Sequence, residues 1–232
     1  MMGKLIKNYG EISLWQLGKD EIPDMTFFVL DNYYMQYWKQ HIDVSGEELR
    51  NAIAEDLTHF DHGTFFAIKD LDGRLLASIK AIKILKDDKF PLENDFQITY
   101  SDLERRVVPL VGDVWLFGRL VVDRDYFNSK PEFVRFRNII FRILICKAIE
   151  CMSYSPDNIL VADVDVAVCR KLRKFDIDMI PIGSSKIIYA SEAVPVYNRM
   201  SGLSTFYSKN IHLIMCNSVK YAIMQINMDF VT

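Results

Sequence analysis

Apolar residues recur at helical spacing in two segments near the start of the chain. Residues 24–41 are rich in aromatic side chains at the intervals of one helix face, which predicts an amphipathic helix. Ser45 and Glu48 have the spacing of a capping box. Apolar residues then follow at intervals of four: Leu49, Ile53 and Leu57. A second helix is therefore expected to begin at Ser45.

Residues 64–83 predict a β-hairpin. Two β-rich runs are joined by Asp70-Leu71-Asp72-Gly73, and the Asp-Gly pair supplies the positive φ that a short hairpin loop needs. Residues 86–112 are polar and contain two prolines. We expect this segment to run over the surface with one helical turn.

The middle of the chain predicts a buried strand followed by a long helix. Val114–Val122 is apolar on both faces, as a central strand requires, and Gly118 in its middle indicates a bulge or a close approach of another group. Ser129-Lys130-Pro131-Glu132 has the pattern of a helix start. The helix is expected to run from Phe133 to about Met152, with an apolar arc wide enough to pack against a sheet.

Shorter elements complete the order. We expect a strand over residues 158–164, a basic helix over 167–175 and a closing pair of strands over 186–189 and 193–197. Helices and strands in this order predict a mixed sheet with helices on both faces, an α/β (α+β) fold. No linker or repeat divides the chain, so we expect a single domain over residues 1–232, with a core at about 24–200 and a C-terminal extension at 201–232.

Composition narrows the functional classes. Lys and Arg number 28 against 31 Asp and Glu, for a net charge of −3, so no overall basic field would hold nucleic acid. No apolar run reaches the ~18 residues of a membrane span, and the first residues do not resemble a secretory signal. The four cysteines form no C-x-x-C pair, which predicts reduced thiols and a cytoplasmic protein. His59 and His62 flank Asp61, where a turn is favoured over a metal site; we expect no metal.

Three segments carry a resemblance to a known family: FFAIKDLDGRLLASIKAIK, VWLFGRLVVDRDY and NIIFRILICKAIECM. With the element order, they resemble the GNAT acyltransferase superfamily over roughly residues 65–197. A proline-containing insert precedes the central strand, WLFGRLVVD stands where some members have a Trp-Glu-x-Ser-Arg-like run, and the ending is IGSSKIIYASEAVPVY. These features are most similar to the autoinducer synthases and the long-chain N-acyl amino acid synthases.

The resemblance implies a mostly antiparallel central sheet whose bulged middle strand splays from its neighbour. It also implies N-acyl transfer from acyl carrier protein or acyl-CoA, used as a co-substrate without a tightly bound cofactor, to the amine of a small molecule such as an amino acid derivative. The main-chain groups of Leu120, Val121 and Val122 are expected to pair with the donor's pantetheine arm.

The chain also departs from these families. The glycine-rich loop that binds the pyrophosphate of coenzyme A is absent from residues 127–132. Leu116 and Gly118 replace the strand glutamate and serine, while Arg119 is retained. Lys80 replaces the arginine of the hairpin, Leu172 stands where many acetyltransferases have a tyrosine acid, and the early acidic cluster is matched loosely by Glu55, Asp56 and Asp61.

The candidate catalytic residues are Arg119, Asp163 and Asp165. Arg119 is expected to hold the site through a buried ion pair and, by strand parity, to share a face with Trp115 and Phe117; a surface arginine is the alternative. Asp163 and Asp165 can accept the amine proton or bind a cationic acceptor, and strand-end or N-cap aspartates are the favoured alternative.

Further candidates concern the donor. Ser129, Arg135 and Asn138 are expected to bind it, although a solvated helix face is the favoured and simpler explanation of Arg135, Asn138 and Arg142. A dense basic group is the candidate surface for an acidic carrier protein: Arg170, Lys171, Arg173 and Lys174. A charged outer helix face is the alternative.

Two other readings of the function remain open. The chain can be a non-catalytic GNAT-fold module that binds an acyl ligand or a protein partner. It can also have an unrelated α/β fold, in which case the strands at 114–122 and 158–164 would not splay apart.

Overall fold

A computed structural model describes residues 3–43, 46–109, 111–129, 136–188 and 191–216 of the chain. Within these ranges the structure is one mixed sheet with helices on both faces. The predicted fold class is confirmed. No helix of the described part combines the length and the apolar character that crossing a membrane requires.

The sheet contains nine strands in the described residues. They are β1 (Lys4–Asn8), β2 (Ile12–Gln16), β3 (Gly63–Asp70), β4 (Leu75–Ile84), β5 (Val114–Val122), β6 (Ile159–Asp165), β7 (Ile180–Pro181), β8 (Lys186–Ile188) and β9 (Ser191–Arg199). Their order is β1-β2-β3-β4-β5-β6-β9-β7, with β8 also paired to β9. Every pair is antiparallel except β5 with β6, so the one parallel contact lies in the middle of the sheet.

Nine α-helices accompany these strands over the same residues. They are α1 (Ile22–Tyr37), α2 (Glu47–Thr58), α3 (Glu93–Phe96), α4 (Tyr100–Arg106), α5 (Arg124–Ser129), α6 (Phe136–Met152), α7 (Val166–Arg173), α8 (Met200–Asn210) and α9 (His212–Met215). On one face, α6, α8 and α9 pack with the sheet in the larger apolar core. On the other face, α1 and residues 90–107 form a second core, and α2 packs on α1.

Several predicted elements are confirmed close to their expected bounds. β3 and β4 form the hairpin, and Gly73 takes the positive φ of +82° that its loop requires. β5 has the predicted bounds, and α6 ends at Met152. The first helix spans 22–37 rather than 24–41. The second begins at Glu47 after Gly46 as N-cap, whereas Ser45 lies outside the described residues.

The segment at 86–112 differs from its prediction as a surface run. It contains α3 and α4, and it buries apolar side chains in the second core: Phe90, Leu92, Phe96, Ile98, Leu103 and Val107. Their spacing is irregular because turns separate them, so no single helical or strand period predicts that they are buried. The segment covers the edge of the core beneath β4 and β5 instead of lying on its surface.

The N-terminal hairpin of β1 and β2 was not predicted. β2 pairs with β3, from Ile12 opposite Asp70 to Gln16 opposite Phe66, and thereby extends the sheet by two strands. The strands are short and β1 is largely exposed, which weakens the alternation of apolar and polar residues.

The helix start predicted at residues 129–132 is only partly covered. Ser129 is the last residue of the short helix α5, and residues 130–135 lie outside the described ranges. Eleven residues of α6 are buried, which confirms that it packs against the sheet rather than lying on the surface.

Candidate functional site

The parallel pair β5–β6 separates after three residue pairs. The ladder joins Val114 to Ile159, Trp115 to Leu160 and Leu116 to Val161 and ends there. Beyond Leu116, no strand of the described residues pairs with the edge of β5 that faces β6. The predicted splay is confirmed, and it removes the unrelated-fold reading. Backbone hydrogen-bonding groups of β5 are thereby left without a strand partner in the middle of the sheet, where a strand-like ligand can pair with them.

A bulge lies in β5 at the start of this open edge. Lys80 pairs with Gly118 and Ser78 with Val121, so two residues of β5 stand opposite the single residue Ile79. Arg119, the first of the two, has a φ of +54°. This left-handed conformation is uncommon outside glycine and is found where the surrounding structure enforces it.

Gly118 permits a close approach rather than supplying the positive φ. A Cβ added there would lie 3.1 Å from Cε of Lys80, whose side chain crosses the glycine. The two expectations for this glycine, a bulge and a close approach, are therefore both met within one residue of it.

The bulge places the side chain of Arg119 on the face of the sheet opposite to the predicted one. Trp115 and Phe117 pack with α6 in the larger core, whereas Arg119 bonds to Asp56 of α2 on the opposite face. The parity prediction was wrong because one inserted residue shifts every later side chain to the other face.

Asp56 is the centre of a buried ionic network. Its side chain is fully buried and accepts hydrogen bonds from Lys80 Nζ at 2.7 Å, from Arg119 Nε at 2.9 Å and from Thr26 Oγ1 at 2.8 Å. Burial would raise the pKa of Asp56, but the charges of Lys80 and Arg119 outweigh it, so the pKa lies below its ordinary value. The expected buried ion pair of Arg119 is confirmed.

The network fixes both the bulge and the helix beside it. Ser78 Oγ donates to the carbonyl oxygen of Arg119 at 2.9 Å, which ties the bulged backbone to β4. Glu55 lies at the rim, 3.5 Å from Lys80 Nζ, with half of its side chain exposed. The resemblance had singled out Glu55, Asp56 and Lys80, and the structure brings their side chains together. Asp61, which the resemblance had also singled out, is exposed in the turn that follows α2.

A cleft of about 1330 Å³ opens where β5 and β6 separate. On the α6 side of the sheet the lining is largely apolar and includes Ile79, Phe117, Phe141, Ile145, Leu160 and Ala162; we call this part the apolar branch. On the α2 side the lining carries Glu55, His59 and Asp163 beside apolar residues such as Phe90 and Leu92; we call this part the polar branch. The open edge of β5 runs between the two, and Leu120, Val121 and Val122 all line the cleft.

Asp163 and Asp165 have different environments despite their alternate positions on β6. Asp163 faces the polar branch, exposed to the cleft but surrounded by protein. Loss of hydration raises its pKa, a shift that Lys80 and Arg119 oppose and that Asp95 increases. Asp165 is the N-cap of α7: Oδ1 accepts from the amides of Ala167 and Val168, and Oδ2 accepts from Ser191 Oγ. The N-cap alternative therefore describes Asp165, and Asp163 is the open carboxylate.

The predicted donor residues are only partly brought together. Asn138 is exposed and lines the cleft. Ser129 is outside the lining and donates to the carbonyl oxygen of Tyr126 at 2.8 Å. Arg135 lies outside the described residues.

The sequence missed Arg124 and Arg137, which line the cleft beside Asn138. The face of α6 that meets the cleft includes 137, 141, 145 and 149, at intervals of four. In the predicted polar stripe, Asn138 and Arg142 are each offset by one residue from that line, so the stripe missed Arg137.

The basic group of α7 does not form one surface patch. Lys171 turns inward and lines the cleft, with Nζ 3.9 Å from the ring centroid of Phe141. Arg173 pairs with Asp178 at 3.2 Å. Arg170 and Lys174 are exposed on the outer side of the helix.

No family model matches the sequence, and no curated protein matches it. Solved structures do match its backbone. FeeM, an N-acyl amino acid synthase from uncultured soil microbes, has a TM-score of 0.54 at 14% identity, covering 84% of this chain and 96% of its own. TofI, in a ternary complex with an inhibitor and MTA, has a TM-score of 0.52 at 11% identity, covering 89% and 96%. A GNAT-family acetyltransferase from Staphylococcus aureus Mu50 has a TM-score of 0.50 at 11% identity, covering 82% and 99%.

At these identities the likeness establishes the fold. The chain has the fold of the GNAT acyltransferases, as its sequence predicted, with the parallel pair and the splayed middle strand in the described residues.

Proposed function

We propose that this chain is an N-acyltransferase that transfers an acyl group from an acyl thioester to the amine of a small molecule such as an amino acid derivative. The observation that carries the proposal is the unpaired edge of β5, beyond Leu116, beside a cleft with one apolar and one polar branch. An amide-containing arm can pair with that edge while its acyl end enters the apolar branch. Fold likeness to FeeM, an N-acyl amino acid synthase, raises the expectation but does not assign the activity.

The donor's pantetheine arm is proposed to pair with the main chain of Leu120, Val121 and Val122. The apolar branch would hold the acyl chain, and each buried methylene contributes about 0.8 kcal/mol to binding. Asn138 and the cations Arg124 and Arg137 line the same cleft and can hold the donor's phosphate, which the absent glycine-rich loop would otherwise bind. Acyl carrier protein and acyl-CoA both present this phosphopantetheine group.

The polar branch is proposed to receive the amine. Once donor and amine are aligned, attack on the activated thioester needs a proton acceptor and a fixed geometry. Asp163 is exposed to the cleft, and its raised pKa makes it a stronger base than an ordinary aspartate. Arg119 is proposed as a positioning residue, because its side chain is tied to Asp56 and its backbone forms the bulge next to Leu120.

Thiol release tests the activity. Acyl-CoA and acyl carrier protein thioesters of several chain lengths are incubated with a panel of amines, and free thiol is measured with a chromogenic disulfide. We expect amine-dependent release, reduced about 10²–10⁴-fold in Asp163→Asn. Asp157→Asn, which alters an exposed aspartate in the turn before β6, is the matched control and should retain activity. If no pair releases thiol above background, the proposal is wrong and a ligand-binding or partner-binding GNAT module is supported.

The carrier can be identified with charge reversal on the outer face of α7. Arg170 and Lys174 are exposed there, outside the cleft lining, and are the remaining candidates of the predicted basic surface. If acyl carrier protein is the donor, Arg170→Glu with Lys174→Glu should raise the KM for the loaded carrier at least several-fold and leave the KM for acyl-CoA unchanged. An equal KM for the carrier in both proteins would remove this surface as its docking site.

A further inference from the structure

Lys171 is the lysine of α7 whose side chain enters the cleft. Its neighbour Leu172 is buried in the larger core, which fixes the rotation of the helix and directs Lys171 toward α6. Nζ of Lys171 lies 3.9 Å from the ring centroid of Phe141. Phe141 also lines the apolar branch, so the amine lies beside the proposed acyl-chain site.

The charged groups around Lys171 are mostly cationic. Arg124 approaches from α5, and Arg137 and Arg142 approach from α6. Arg142 is placed over the ring of Phe175 and donates to Asn210 Oδ1 at 3.2 Å. The cleft lining also contains carboxylates: Asp125 is on α5, Asp165 is held as the N-cap of α7, and the others are Glu47, Glu48, Glu55, Asp88, Asp95 and Asp163. No salt bridge to Lys171 occurs among the described residues.

This environment favours the uncharged amine. Burial, and then repulsion by Arg137, Arg124 and Arg142, lowers the pKa of Lys171 to about 8. At pH 7 about 10% of the amine is then neutral, against about 0.04% for a lysine with the ordinary pKa of about 10.4. A neutral amine is the form that attacks a thioester carbonyl.

We infer that Lys171 is itself an acyl acceptor, modified by the thioester that the cleft binds. Nζ attacks the thioester carbonyl, the new C–N bond forms and the C–S bond breaks. The amine loses one proton, and the departing thiolate takes up one proton from solvent, so the products are an acyl-lysine amide and a free thiol. The inference rests on the proposed thioester binding, but it does not require a separate amine substrate.

Acylation would change the cleft lastingly. The amide does not ionise, so one positive charge is removed from beside Arg137, and the added acyl chain occupies the apolar branch where Phe141 lies. An acylated chain should therefore bind the next donor more weakly than the unmodified chain.

Mass spectrometry of the full chain tests the inference. The protein is incubated with octanoyl-CoA without added amine, and intact mass and peptide maps are recorded from pH 6.5 to 9.5. We expect one octanoyl group on Lys171, with a rate that rises about tenfold per pH unit below about 8 and then levels. Lys171→Arg keeps the charge and should lose the adduct, whereas Lys174→Arg, an exposed lysine one turn further, should retain it.

Trace labelling with acetic anhydride provides a readout that needs no donor site. At pH 7 Lys171 should be labelled faster than Lys174 although it is less exposed. Fast labelling by anhydride without any octanoyl adduct overturns the inference, and so does an adduct that persists in Lys171→Arg. Amine-dependent thiol release without an adduct would overturn the inference while leaving the proposed function intact. Absence of both would mean that the proposed function fails as well.

Discussion

Replacing Asp56 with asparagine tests whether the buried network holds α2 against the bulge of β5. The carboxylate is fully buried, and the side chains of Lys80 and Arg119 are 4% and 12% exposed. Asparagine keeps the size of the side chain but removes its negative charge, so the two buried cations lose their shared partner. Glu55 remains at the rim, 3.5 Å from Lys80 Nζ. Removing one partner from a buried ion pair costs about 3–5 kcal/mol. We expect Asp56→Asn to lose that much free energy of unfolding.

Urea unfolding at pH 7, followed by circular dichroism, measures the loss. With an m-value of about 3 kcal/mol per M for a chain of this size, the midpoint should fall by about 1–1.7 M. The melting temperature should fall by about 6–20 °C. Glu55→Gln is the control: half of that side chain is exposed, so its loss should stay under about 1 kcal/mol.

The pH dependence identifies the charge as the source of the effect. The folded-state pKa of Asp56 is lowered, because Lys80 and Arg119 outweigh the effect of burial. The contribution of the charge is therefore complete above the unfolded pKa of about 3.9 and is lost as pH falls through the folded pKa. The difference between wild type and Asp56→Asn should narrow below about pH 4. A difference under about 0.5 kcal/mol at pH 7, or one unchanged between pH 7 and 3, would refute the reasoning.

Gly118, Asp165 and Asp163 provide three further tests of the geometry. Gly118→Ala should lower stability by about 1–3 kcal/mol, because the added Cβ meets Lys80 Cε at 3.1 Å and that lysine is held by its ion pair; an unchanged urea midpoint would contradict this. Asp165→Ala should cost about 1 kcal/mol in thermal unfolding through loss of the N-cap of α7, and Asp165→Asn should cost less. In wild type, the acid limb of kcat/KM against pH should lie above the ordinary aspartate pKa of about 3.9, because Asp163 must be ionised to accept a proton and burial raises its pKa. Asp163→Asn should remove that limb from its residual activity, and a limb that persists there would assign it to another group.

The elements with a strong local period were predictable. The Asp-Gly turn fixed the hairpin of β3 and β4, and apolar continuity fixed β5 and α6. The N-terminal hairpin was not predictable, because five-residue strands at a sheet edge are stabilised by pairing with β3 rather than by their own pattern. Residues 90–107 were assigned to the surface because their buried side chains are separated by turns rather than by a constant interval.

The candidate site was predicted where it depends on main chain and missed where it depends on side-chain direction. Leu120, Val121 and Val122 line the cleft, and the pairing of their main chain with a donor stays a prediction. The predicted face of the Arg119 side chain was wrong because strict alternation along a strand does not allow for an inserted residue. Arg137 was missed because the helix face that meets the cleft is set by packing on the sheet, which the sequence of α6 alone does not reveal.

The short join between β5 and β6 has a consequence for how the chain unfolds. Three residue pairs span about 10 Å, so few backbone hydrogen bonds connect β1–β5 with β6–β9. On one face the connection is made by α6, which contacts β3, β4 and β5 and also packs against α8 and α9. On the other face the second core joins β3–β5 to Ile159, Val161 and Ala193. Cooperative unfolding of the two halves therefore depends strongly on the side chains of this helix. Shortening one of them, as in Ile140→Ala, should lower the melting temperature and make the two halves melt at different temperatures. Amide exchange in β9 would then become faster than in β4.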